Sequence, residues 1–139
     1  MFAADHARFA QTEVRLGIIP GAGGTQNLSR AIGERRAKEL ILSGRPFTAT
    51  EAHEWGLVNA VYPVADLLEA TLEIAKTIAA NAPIAVRQAK QAIHRGVQMS
   101  LRDGLAFEIE AYNRTVPTTD RLEGVRAFNE NRPPNFTGE

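Results

Sequence analysis

Cysteine is absent from this chain, which therefore holds no disulfide framework, no thiol nucleophile and no thiolate metal site. Such a chain fits a reducing compartment. Charge of one sign is also missing: sixteen Lys and Arg balance sixteen Asp and Glu. Phosphate binding needs a cationic excess, so nucleic acid and anionic membranes are set aside as main partners. The N-terminus shows no basic segment followed by a long apolar run, and no window approaches membrane-spanning length. By default this reads as a cytoplasmic protein with no membrane partner. His6, His53 and His94 stand far apart and give no metal-ligand spacing. Ser and Thr residues lack a nearby His base in any order that supports a hydrolase triad.

What is present suits one domain with a real core: 139 residues, 44% of them hydrophobic. Residues 1–50 carry seven Arg or Lys against four acids, a bias too small to carry weight. The most informative stretch is Glu13-Val14-Arg15-Leu16-Gly17-Ile18-Ile19-Pro20-Gly21-Ala22-Gly23-Gly24-Thr25-Gln26. It sets one carboxylate beside a glycine-rich turn that opens a helix. Glycines lack a Cβ, so backbone N–H groups there can approach a bound group closely. Glu13 can then act as acid or base, against the plain reading of a solvated charge ending a strand. A dinucleotide fingerprint would need a third glycine where Gln26 stands, and no Lys-Ser or Lys-Thr pair follows the glycines as a P-loop requires.

Helical periodicity dominates the rest. The pattern predicts helices from Gly24 or Thr25, over Glu34 to Leu42 with a stop at Ser43-Gly44, and from the Thr48-Ala49-Thr50-Glu51 capping box to before Gly56. Val58 to Val61 reads as a strand. Further helices follow Asp66, Pro83 and Ser100, and a last one spans about Thr119 to Glu130. Apolar stripes run along them: Leu68, Leu72, Ala75 and Ile78; Val86, Ala89, Ile93 and Val97; Leu101, Leu105, Ile109 and Tyr112. A core role is the first reading of such stripes, a partner-binding face the second. Arg87, Lys90 and His94 read as a solvated face, and Trp55 as packing.

The run from Phe9 through Gly33, with Glu13, Gly17, Pro20, Gly21, Gly23, Gly24, Thr25, Gln26, Leu28, Arg30 and Gly33, resembles the signature segment of the enoyl-CoA hydratase/isomerase (crotonase) family. Leu42-Ser43-Gly44-Arg45, Glu51-Ala52 and Trp55-Gly56-Leu57-Val58-Asn59 resemble its next helix, turn and strand. Asp120, Glu123-Gly124, Ala127-Phe128, Arg132 and Phe136 resemble its closing segment. The similarity covers essentially the whole chain, in order.

The resemblance implies the C-terminal half of an α/β crotonase (ClpP-like) fold, a mostly helical fragment with one or two short strands. Residues 1–62 would be the end of the core with the signature loop, and 63–139 a helical region for assembly and for covering coenzyme A. It implies addition of water to a 2-enoyl-CoA thioester, incomplete in this chain alone, because the family's first half supplies both oxyanion-hole N–H groups and a second glutamate. Whether the chain acts as an enzyme by itself stays open. Adding water puts negative charge on the thioester oxygen and requires proton transfers at water and at the α carbon. Glu13 takes the role of the glutamate that holds the water and exchanges the α proton, and Gly21 that of the residue whose N–H fixes the water. Phe128 matches a position that reaches the adenine of coenzyme A in a neighbouring subunit. A nearby family lysine is replaced by Asn131, and Thr12 replaces a common proline. No cofactor is implied, since coenzyme A is part of the acyl-CoA substrate, and no metal. Implied partners are further copies, in a trimer or hexamer, or a complementing N-terminal half. Two alternatives stand: an enoyl-CoA isomerase or other crotonase-type acyl-CoA enzyme, and a non-catalytic helical assembly module.

Overall fold

A computed structural model describes all of residues 1–139. The chain divides into two compact units, Met1–Leu72 and Glu73–Glu139. In the first, β1 (Phe2–Ala4) pairs in parallel with β4 (Ala60–Tyr62), Phe2 opposite Ala60. β2 (Arg8–Phe9) pairs antiparallel with β3 (Phe47–Thr48). A parallel pair needs a long crossover, here filled by three helices. There are thus four strands of two or three residues where the residue pattern suggested one and the resemblance implied one or two. The strand expected from Val58 starts two residues later, because Val58 turns into the core with 2% of its surface exposed.

The crossover helices are α1 (Gly24–Ile32), α2 (Glu34–Ser43) and α3 (Ala49–Glu54). Gly44, at φ 61°, ends α2 in the left-handed conformation that glycine adopts at least cost. The capping box before α3 closes in both directions: Glu51 N–H donates to Thr48 Oγ1 at 3.1 Å, and Thr48 N–H donates to Glu51 Oε2 at 2.7 Å. Leu28 and Ile32 of α1 and Ala37, Leu40 and Ile41 of α2 lie at helical spacing and are buried with Ala3, Phe47, Ala49, Ala52 and Val58. Phe47 stacks on Phe9 and tilts against Trp55, each centroid pair 5.5 Å apart. Arg36 lies 4.7 Å over the Trp55 ring, so Trp55 is a packing residue as its sequence context suggested.

Next along the chain comes α4 (Leu67–Ala79). The second unit continues with α5 (Pro83–Gly96), α6 (Leu101–Asn113) and α7 (Thr119–Asn129). Pro83 occupies the first turn of α5, where its missing N–H has no intrahelical partner to lose. Ser100 Oγ caps α6 by accepting from Asp103 N–H at 3.2 Å, and Thr118 caps α7 in the same way. Gly96 and Gly104 let the chain approach itself, since a Cβ on Gly104 would stand 3.4 Å from the Gly96 carbonyl oxygen. After α7 the tail folds back. Buried Asp120 accepts the N–H groups of Thr137 and Gly138 at 2.7 and 2.9 Å.

The core reading of the apolar stripes does not hold within this chain. Leu68, Leu72 and Ile78 are exposed, and the half-buried face of α4 is instead Leu67, Ala70, Thr71 and Ile74. Ile93, Val97, Leu101, Leu105, Ile109 and Tyr112 are likewise exposed, with Leu101 at 80%. Apart from alanines, almost nothing apolar in the second unit is buried: Ala111 and Ala127 are its core members. No helix is long and apolar enough to cross a membrane.

Candidate active site

Glu13 does not end a strand. It opens a 3-10 turn, Glu13–Leu16, which Gly17 closes with φ 76°. Two side chains and one glycine fix the turn. Val14 packs on the core of the first unit, Arg15 reaches 28 residues ahead to donate to the Ser43 carbonyl at 3.5 Å, and Gly44 leaves room for the Arg15 stem. With its neighbours held, Glu13 faces a cavity of about 330 Å³. Its Oε2 is shut off from solvent and has no hydrogen-bond partner in the chain. A buried acceptor in that condition is uncommon and calls for a reason, since desolvating it without a partner costs free energy.

The cavity walls come from three places. Phe9, Ala10, Gln11 and Glu13 come from the end of β2 and the segment that leads from it into the 3-10 turn. Ala22 and Gly24 come from the glycine turn, with Asn27 and Leu28 one helical turn further on in α1. Phe47 and Leu57 add apolar surface. The turn is tight at Gly23, which caps α1 at φ 87°. Gly24 sits so close to Gln11 and Pro20 that a Cβ there would lie 2.8 Å from the proline Cβ. The first turn of α1 opens on the same cavity as Glu13, and free N–H groups at a helix start attract negative charge.

Of the residues singled out by sequence, Glu13 lines the cavity and Gly21 does not. Gly21 stands exposed in the same turn, immediately before Ala22, with nothing nearer than 4.0 Å to where a Cβ would be. Phe128 belongs to the second unit, on α7, with 82% of its surface exposed. Sequence reasoning passed over Gln11 and Asn27, the two amides of the cavity. A signal was available for Asn27, which lies three residues after Gly24 in a helix, whereas Gln11 precedes Glu13 in irregular chain that carries no periodicity.

The profile of the enoyl-CoA hydratase/isomerase family matches residues 1–139. An enoyl-CoA hydratase/isomerase of Bacillus subtilis is 51% identical over 136 residues, which cover 98% of this chain and 52% of that protein. A 2,3-dehydroadipyl-CoA hydratase of Escherichia coli is 42% identical over 136 residues, again 98% of this chain and 53% of the relative. A crystal structure of an enoyl-CoA hydratase from Bacillus anthracis superposes with a TM-score of 0.97 at 54% identity, covering 99% of this chain and 54% of that one. The chain thus spans about half the length of these relatives.

Proposed function

Because the chain belongs to the enoyl-CoA hydratase/isomerase family, we propose that it supplies the Glu13 side of a site that adds water across the double bond of a 2-enoyl-CoA thioester. The observation that carries this reading is the buried Oε2 of Glu13, unpartnered at a cavity whose walls are apolar apart from the amides of Gln11 and Asn27. A carboxylate so placed takes a proton from water as oxygen adds to the β carbon, and returns one at the α carbon. Negative charge builds on the thioester oxygen meanwhile, and hydrogen-bond donors must meet it there. The resemblance assigns those donors and a second glutamate to a part of the family fold that this chain does not span. Gly21 N–H steadies the water, and Phe128 touches the adenine of coenzyme A bound to a neighbouring copy. Residues 1–62 are then the end of the catalytic core and 63–139 the region for assembly and coenzyme A cover. The exposed stripes of α4, α5 and α6 support assembly with further copies, as trimer or hexamer, or with a complementing N-terminal half.

The test compares the chain alone with the chain joined to the first half of a full-length relative, by fusion or in trans, following loss of enoyl absorbance with a short enoyl-CoA. Alone it turns over poorly or not at all, since removing even one oxyanion donor typically costs about a hundred- to a thousand-fold. In the joined form, Glu13→Gln lowers turnover by about two to four orders of magnitude while assembly is unchanged. Full activity in that variant removes Glu13 from the chemistry.

A further inference from the structure

The direction in which Glu13 points is set by the two residues that follow it. A 3-10 turn completes itself in three residues, so consecutive side chains leave it about 120° apart. Glu13, Val14 and Arg15, the first three positions of the turn, therefore face three ways. Val14 goes to the core of the first unit, Arg15 goes to the end of α2, and Glu13 is left with the cavity. Fixing two of the three directions fixes the third.

Arg15 takes its anchor where α2 needs a cation. The last carbonyls of a helix lack partners within it and carry its partial negative charge, and a basic side chain in the last turn commonly answers both. α2 has no basic residue in its last turn. Ser43 Oγ turns back to the Glu39 and Leu40 carbonyls at 2.6 and 3.4 Å, while the Ser43 carbonyl is met by Arg15, Nη2 donating at 3.5 Å. At that length the bond is weak, and the lie of the side chain adds to it. A Cβ on Gly44 would stand 2.8 Å from Arg15 Nε and 3.3 and 3.4 Å from its Cγ and Cδ, so the stem lies across the glycine that ends the helix. The base it rests on is firm. Ala37, Leu40 and Ile41 hold α2 in the core.

We infer that Arg15 is a positioning residue for the reaction: by bridging the 3-10 turn to the end of α2, it aims the Glu13 carboxylate into the cavity. The inference rests on the reading of Glu13 as the proton-transfer group, and adds to it the side chain that holds that group in place.

Two measurements test it, with circular dichroism checking the fold of each variant. On the full chain, hydrogen exchange reads the turn at its own amides, since Gly17 N–H donates to the Val14 carbonyl at 3.2 Å and Ile18 N–H to the Glu13 carbonyl at 3.3 Å. Arg15→Ala speeds both by about tenfold while the amides of α1 keep their rates. Unchanged exchange at Gly17 and Ile18 overturns the inference. In the form joined to the first half of a relative, Arg15→Ala lowers kcat by about ten- to a hundredfold, the scale of a misplaced catalytic group, with KM within about twofold of the parent. Arg15→Lys, which keeps the charge and the reach to the carbonyl, recovers most of that loss. In a Glu13→Gln background Arg15→Ala costs nothing further, because it acts through that carboxylate. An undiminished kcat, a rise in KM alone, or an equal loss in both backgrounds overturns the positioning role and leaves the reading of Glu13 standing. Full activity in Glu13→Gln removes that reading, and the inference with it.

Discussion

Arg132 grips Glu123 with both arms of its guanidinium, Nη1 donating to Oε1 at 2.6 Å and Nη2 to Oε2 at 2.9 Å. The same carboxylate accepts Asn135 N–H at 2.9 Å, so it ties the tail to α7 from two directions. Fork-to-fork pairing of this kind fixes geometry as well as charge. The Arg132 hydrogen bonds, and next the Asn135 N–H, pull the Glu123 carboxyl from its ordinary 4.5 down to about 2.

A pH dependence follows, with its sign fixed by that direction. A carboxyl whose pKa is lower in the folded state contributes stability above its unfolded value, and the contribution fades as pH falls through the folded one. For Glu123 the window runs from about 4.5 down to about 2. Thermal midpoints of the unmodified chain fall across this window, and part of the fall disappears in Glu123→Gln, which keeps the shape but does not titrate. An identical acid slope in both proteins would remove Glu123 from the acid response.

The glycine turn makes a second prediction, because its glycines are not equivalent. At Gly24 a Cβ would overlap the ring of Pro20, which the chain holds in place, as well as the Gln11 side chain. Alanine gains up to about 1 kcal/mol over glycine inside a helix, but overpacking against a fixed group costs about 1–3 kcal/mol. Gly24→Ala therefore lowers stability in denaturant titrations. Gly21→Ala, with open space around it, stays within about 0.5 kcal/mol of the parent. Equal losses at both sites would show that the turn relaxes to absorb a methyl group anywhere.

Local rules made much of this fold legible in the sequence. The Thr48–Glu51 capping box, Ser100 as a cap, Pro83 in a first turn and Gly44 as a stop are set by groups within four residues of one another, and all stand where the sequence placed them. Contacts between distant residues were not legible. Glu13 reads locally as a solvated charge, and becomes a buried acceptor because Arg15 reaches Ser43 and Val14 finds the core. The two-residue strands β2 and β3 are too short to show an alternation, and only their pairing defines them. The stripes of α4 to α6 were legible as stripes. Whether a stripe faces inward depends on what else is available to cover it, and here it faces out.

That outward face supports the last prediction. Ile93 on α5, Val97 just after its end, and Leu101, Leu105 and Ile109 on α6 are each at least half exposed. A contiguous apolar surface of this extent is unusual on a monomer and marks an interface or a source of aggregation. Light scattering on the isolated chain gives a mass that rises with concentration, and a dye that reports apolar surface binds. Introducing charge by Ile93→Glu and Ile109→Glu changes monomer stability little, since surface substitutions stay mostly within about 0.5 kcal/mol, yet shifts the mass toward a single chain. If the unmodified protein already scatters as a single chain at every concentration and binds no dye, the exposed stripes play no part in assembly.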